Sequence, residues 1–327
     1  MKSKTWIICL MLSATSISIH AQKAMGARQA ATGDAAFTAT ADLSKCATID
    51  TLLSKQCYKL LDEWMHAYDG LQGQIAVLDA GTGQLRAWVA LEKTKQEMRQ
   101  APLNRRFCSS EVFLPFVATE CLALSHTSLE DTVHTGSGIY QVDEKTILRD
   151  HNWRMGGYGI LTYREALLLR SIIGIYRAIM TMPDGMRYWN KATDKTKNTN
   201  AMEMAATFNS MYHLDALTIP TLDSSNVCTQ AINMDATQRS YLKEIAVGNF
   251  KEQGIQHKRA PKDVELAGVY HLANDNTEQT FSFIGCFPAE QPRYAISMVV
   301  VKKRTGASSS IMLSDAINPL IEWLNKR

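Results

Sequence analysis

The sequence predicts an α+β fold in which an antiparallel sheet is flanked by helices and joined to a separate helical lobe. Three observations predict it: a period-two hairpin near the start, a long helical middle, and period-two segments again near the end. Asp50 is suited to capping the first helix, where Leu53, Cys57, Leu60, Leu61, Trp64, Met65 and Tyr68 recur at helical spacing. Ile75, Val77 and Leu78, then Leu85, Trp88 and Val89, flank the turn at 79–83 and read as a β-hairpin. No strand-to-helix step and no Lys-Ser/Thr follows Gly81-Thr82-Gly83, so this is a turn and not a phosphate cradle. An apolar helix spans 112–124. Thr162, with Glu165 three residues on, forms a capping-box pattern that opens another helix. Segments 202–214 and 237–250 read as two more, and 193–200 as a solvated loop. Period two returns at 264–272, 281–287 and 294–301, and a last helix over 309–325 bends at Pro319.

Residues 1–21 place Lys2 and Lys4 ahead of an apolar run from Trp6 to Ile19 and end in small residues, the layout of a cleaved secretory signal. Residues 22–47 form a small, polar, flexible lead-in, and 48–327 the folded domain. No later stretch reaches the roughly 20 apolar residues of a membrane helix, so the mature chain is expected in the periplasm or another extracytoplasmic space, with no membrane span. Lys plus Arg total 35 against 32 acidic residues. Loss of Lys2 and Lys4 leaves a net charge of about +1, which argues against a nucleic-acid partner. The mature cysteines are Cys46, Cys57, Cys108, Cys121, Cys228 and Cys286. Helical spacing separates Cys46 from Cys57 and Cys108 from Cys121 by roughly 15 Å, beyond a disulfide's reach, so any bridge must be long-range.

Several ordered segments carry a resemblance. GQIAVLDAGTGQLRAWVA, FLPFVATECLAL, HTGSGIYQ, RDHNWRMGGYGILTYREALLLRSIIGIYRAIM, VELAGVYHL and FSFIGCFPAEQPRYAISMVVV follow one another as in the transpeptidase domain of class B penicillin-binding proteins, of the cell-division and elongation type. The resemblance implies the fold shared by these transpeptidases and the serine β-lactamases. It also implies a site built from three motifs. The nucleophile and base of Ser-x-x-Lys fall on Glu111 and Leu114. Ser-x-Asn falls on Arg170, Ser171 and Ile172, unless a one-residue slip lets Ser171 serve. Lys-Thr-Gly falls on Val269, Tyr270 and His271. All three motifs have lost their chemistry.

The resemblance therefore implies a secreted, catalytically inactive relative that binds a peptidoglycan stem peptide or a cell-envelope or division protein. The alternative is a divergent D,D-transpeptidase or acyltransferase using Ser109, Ser110 or Cys108, the last with His271 as base. No cofactor is expected, and no metal, since His126, His134, His151 and His271 lack ligand spacing. A carboxylate left alone in a partly buried site is costly, so Glu111 is expected to pair directly with Arg170, with His271 near and Leu114 against Ile172 as an apolar floor.

Overall fold

The computed structural model describes residues 48–327 except 96, 109, 195–197, 215, 221–226, 233, 276 and 307. The expected signal and lead-in, residues 1–47, lie outside the described residues, as does Ser109. Helix α1 (Thr51–Ala67) begins where Asp50 accepts a hydrogen bond from Leu53 N at 2.9 Å. The hairpin of β1 (Gly70–Asp79) and β2 (Leu85–Lys93) closes on an Asp79 side chain that accepts from Thr82 N at 2.9 Å, with Gly83 at φ +70°. A short strand, β3 (Met98–Gln100), extends the edge.

The first departure from expectation lies at the next helix. Residues Ser110–Phe113 form a 3₁₀ turn, and only from Leu114 does α2 (Leu114–Leu124) become α-helical. Pro115 explains the break: it has no N–H, and its ring would clash with the carbonyl four residues earlier in a continuous helix.

The helical lobe follows. Strands β4 (Thr132–Gly136) and β7 (Gly159–Thr162) pair around a hairpin of β5 (Ile139–Gln141) and β6 (Ile147–Arg149), none of which the periodicity reveals. Helix α3 (Tyr163–Leu168) opens with the expected Thr162–Glu165 capping box. Helices α4 (Ile172–Ile179) and α5 (Gly185–Ala192) complete the lobe. Its core joins Leu114, Val117 and Leu122 of α2 to Leu167, Ile175 and Trp189.

The segment expected as a solvated loop departs from that reading at its end. Thr199 pairs with Phe107 through backbone hydrogen bonds of 2.8 and 3.0 Å, and Asn200 caps α6 (Ala201–Asn209). Both side chains are buried because the cap and the pairing turn them inward. A π-helical turn (Ser210–Leu214) ends α6, the strand pair β8 (Ala216–Pro220) and β9 (Val227–Ala231) follows, and α7 (Ala236–Gly248) packs on α2.

Strands β10 (Ala267–Asn274), β11 (Glu278–Phe287) and β12 (Tyr294–Lys303) complete a six-stranded antiparallel sheet ordered β10-β11-β12-β1-β2-β3. Strand β10 begins three residues later than its sequence pattern suggests. The last helix likewise opens as a 3₁₀ turn (Ser310–Leu313) before α8 (Ser314–Asn325), which contains Pro319. Because β1 alternates, Ile75 and Val77 meet α1 and α8 on one face, while Ala76 and Leu78 meet α6 on the other. The sheet is thus covered on both faces, and β10 stands at its edge beside the lobe.

Cys57, Cys121 and Cys286 are buried thiols that form no disulfide with one another. Burial pushes all three well above the ordinary thiol range, which makes them structural and inert. Cys46 and the side chain of Cys228 lie outside the description.

Candidate functional site

The site forms where the α3–α4 turn, the edge strand β10 and the 3₁₀ turn ahead of α2 meet. Its geometry starts in the backbone of α3. The Arg170 N–H donates to Leu167 O at 3.1 Å and the Ser171 N–H to Ala166 O at 2.8 Å, which is the paired closure of a Schellman motif. The residue at its centre must be left-handed. Glycine normally serves there, but here it is Arg170, at φ +54°, a conformation that costs a non-glycine residue about 1 kcal/mol. This fixed turn aims the guanidinium at β10.

Arg170 Nη1 donates to the Tyr270 carbonyl at 2.9 Å, and Nη2 lies 2.9 Å from His271 Nδ1. His271 Nε2 in turn lies 3.3 Å from Glu111 Oε2. A guanidinium only donates, so Nδ1 must carry a lone pair and Nε2 the proton. The imidazole is therefore neutral and passes a hydrogen bond from cation to carboxylate. This differs from the expected direct Glu111–Arg170 pair: the two charges are joined through His271, because β10 presents the His271 ring between them. Burial lowers His271 below the ordinary imidazole range. The Glu111 hydrogen bond opposes that lowering and the Arg170 charge adds to it. Burial also lowers the Arg170 guanidinium to about 10, with Glu111 opposing, so it stays charged at neutral pH.

Strand β10 is an edge whose outward backbone groups are taken up by side chains. Asn249 Nδ2 donates to Gly268 O at 2.9 Å, and Gln256 receives from Tyr270 N at 3.0 Å and donates to Tyr270 O at 2.8 Å. Val269 and the Tyr270 ring are fully buried on opposite faces of the sheet, so neither side chain projects into the site. Leu114 lies in the lobe's core, and the half-buried Ile172 packs against that core.

Ser171 does not enter by a slipped register. It is fully buried, accepts from Gly174 N at 3.0 Å as the N-cap of α4, and donates to both oxygens of Asp150 at 3.0 and 2.9 Å. Asp150, itself buried, also accepts from Ile173 N at 3.2 Å. Asp150, Asn249 and Gln256 organise the site and were not singled out in the sequence. The RDHNW motif holds Asp150, but a lone acid in a loop gives no sign that it will cap a helix twenty residues later. Nothing in the sequence marks Gln256.

This arrangement of sheet, lobe and edge strand is the fold of penicillin-binding-protein transpeptidase domains. A crystal structure of a peptidoglycan glycosyltransferase from Burkholderia ambifaria is similar over 85% of this chain and 97% of its own, with a TM-score of 0.67 and 19% identity. The apo transpeptidase (TP) domain of Burkholderia pseudomallei penicillin-binding protein 3 is similar over 86% and 97%, with a TM-score of 0.68 and 19% identity. No protein-family model and no curated protein sequence matches the chain.

Because His271 couples the two charges, replacing Glu111 and Arg170 by Ala together should give a stability change differing from the sum of the single changes by about 0.5–2 kcal/mol. In a His271→Phe background the coupling should shrink to the direct attraction between the two charges. Chemical denaturation of the variants measures both cycles, and equal coupling in the two backgrounds would show that the imidazole is not the link.

Proposed function

We propose that this chain is an exported, catalytically inactive relative of the penicillin-binding transpeptidases that acts by binding a peptidoglycan stem peptide or a cell-envelope partner. One observation carries the reading. At the positions matching the three motifs, a charged hydrogen-bond chain stands in place of a nucleophile and its base, and it engages both ring nitrogens of His271. A histidine in that state has no lone pair left to take a proton from Cys108 or a nearby serine, so the one imidazole at the site cannot serve as a general base. Leu114, at the position matching the base, is buried and apolar. The signal-like layout of residues 1–21 supports the exported part of this reading, and no helix among the described residues is long and apolar enough to cross a membrane.

The test is exposure of the mature protein to a β-lactam followed by intact-mass and peptide analysis. No stable adduct is expected; a mass gain mapping to Ser109, Ser110 or Cys108 would replace this reading by the acyltransferase one. Retention on purified peptidoglycan sacculi then separates a stem-peptide ligand from a protein partner.

A further inference from the structure

We propose that Arg170, His271 and Glu111 form a pH-operated latch tying the helical lobe to the edge of the main sheet, closed while His271 is neutral and released when it takes up a proton. The latch spans three elements: the α3–α4 turn supplies Arg170, β10 supplies His271, and the turn ahead of α2 supplies Glu111. It goes beyond the functional reading and holds whether or not the chain binds a peptidoglycan peptide.

The chemistry is directional. The Arg170 Nη2–H needs the lone pair on His271 Nδ1, because a guanidinium has no acceptor to offer. A second proton on the imidazole would occupy Nδ1, setting N–H against N–H and cation against cation. The bond to Glu111 is strengthened by the same proton, so His271 keeps its carboxylate partner and loses the arginine. Of the two hydrogen bonds that join the turn to β10 among the described residues, the Arg170–Tyr270 carbonyl bond alone would then remain.

Among the described residues, the charged groups facing His271 are Glu111 and Arg170. From β11 its cross-strand neighbour is Ser282, and from the loop after α7 Gln256 reaches the adjacent Tyr270; neither titrates. Burial places the transition below the ordinary imidazole value of 6.5. With the folded pKa depressed, the latch is at full strength above that value and is lost as pH falls through the folded pKa.

Hydrogen exchange over residues 163–179 of the mature protein, corrected for intrinsic chemical exchange, reads the latch. Protection should fall by up to about tenfold per pH unit through the transition, the slope of a one-proton linkage. His271→Gln keeps an acceptor and a donor but does not titrate, so its profile should be flat. Constant protection in the wild type between pH 7.5 and 4.5, or the same fall in His271→Gln, would overturn the proposal. Should the variant not fold, the wild-type imidazole ¹⁵N shifts decide. A bare Nδ1 and protonated Nε2 at pH 7.5 support the latch, and the other tautomer or an imidazolium at that pH overturns it.

Discussion

Asp150→Ala should lower stability by about 3 kcal/mol, whereas Asp150→Asn should change it by less than about 1 kcal/mol. The carboxylate receives the Ser171 hydroxyl and the Ile173 N–H in a buried setting at the start of α4, where a negative charge also meets the positive end of the helix. Alanine leaves both donors without a partner. Asparagine keeps an acceptor for them, and its amide can donate to the second lone pair of Ser171 Oγ. Removal of the charge brings a compensating gain. Burial is the largest influence on Asp150 and raises its pKa above the ordinary 3.8, with the Ser171 and backbone hydrogen bonds opposing. A raised folded pKa means that this group's contribution is complete below 3.8 and is lost as pH rises through the folded value. Asp150→Asn should therefore gain on the wild type as pH rises from about 4 to 7. Urea unfolding midpoints across that range measure it, and a constant or widening deficit of the Asn variant would mean that the buried charge is a net benefit.

The sheet was legible in the sequence because both its faces are built from the period-two positions of β1, β11 and β12, and the capping residues Asp50 and Thr162 stand where their helices begin. What was less legible shares one cause: it depends on contacts between distant segments. Pro115 was visible, but not its effect on the helix start. Glu111, Arg170 and His271 come together in the sequence only through the resemblance that aligns three separated segments. The order of their bonds was not readable, because it rests on a left-handed arginine at a Schellman position that propensity would give to glycine. Asp150 and Gln256 act on backbone groups, and backbone groups leave no signature in side-chain pattern.

Gly268→Ala should cost more than about 4 kcal/mol or abolish soluble expression. Gly268 lies on β10 at φ +152°, opposite Gly285 of β11, and a Cβ there would come within 2.1 Å of the Ile284 carbonyl oxygen and 2.6 Å of the Gly285 Cα. Both obstacles are backbone, so no side chain can swing aside; β10 must move away from β11. That movement would also carry the Gly268 carbonyl off Asn249 and shift His271, three residues along the same strand, away from Arg170 and Glu111. The site geometry thus depends on a close backbone approach that only glycine permits. Gly136→Ala is the control: Gly136 is also left-handed, at φ +60°, but nothing lies within 4 Å of its added Cβ, so it should lose only the backbone preference of about 1 kcal/mol. Thermal midpoints of the two variants make the comparison. If Gly268→Ala melts no lower than Gly136→Ala, the strand has room to adjust, and the placement of His271 must come instead from Gln256 and Arg170 gripping the Tyr270 backbone.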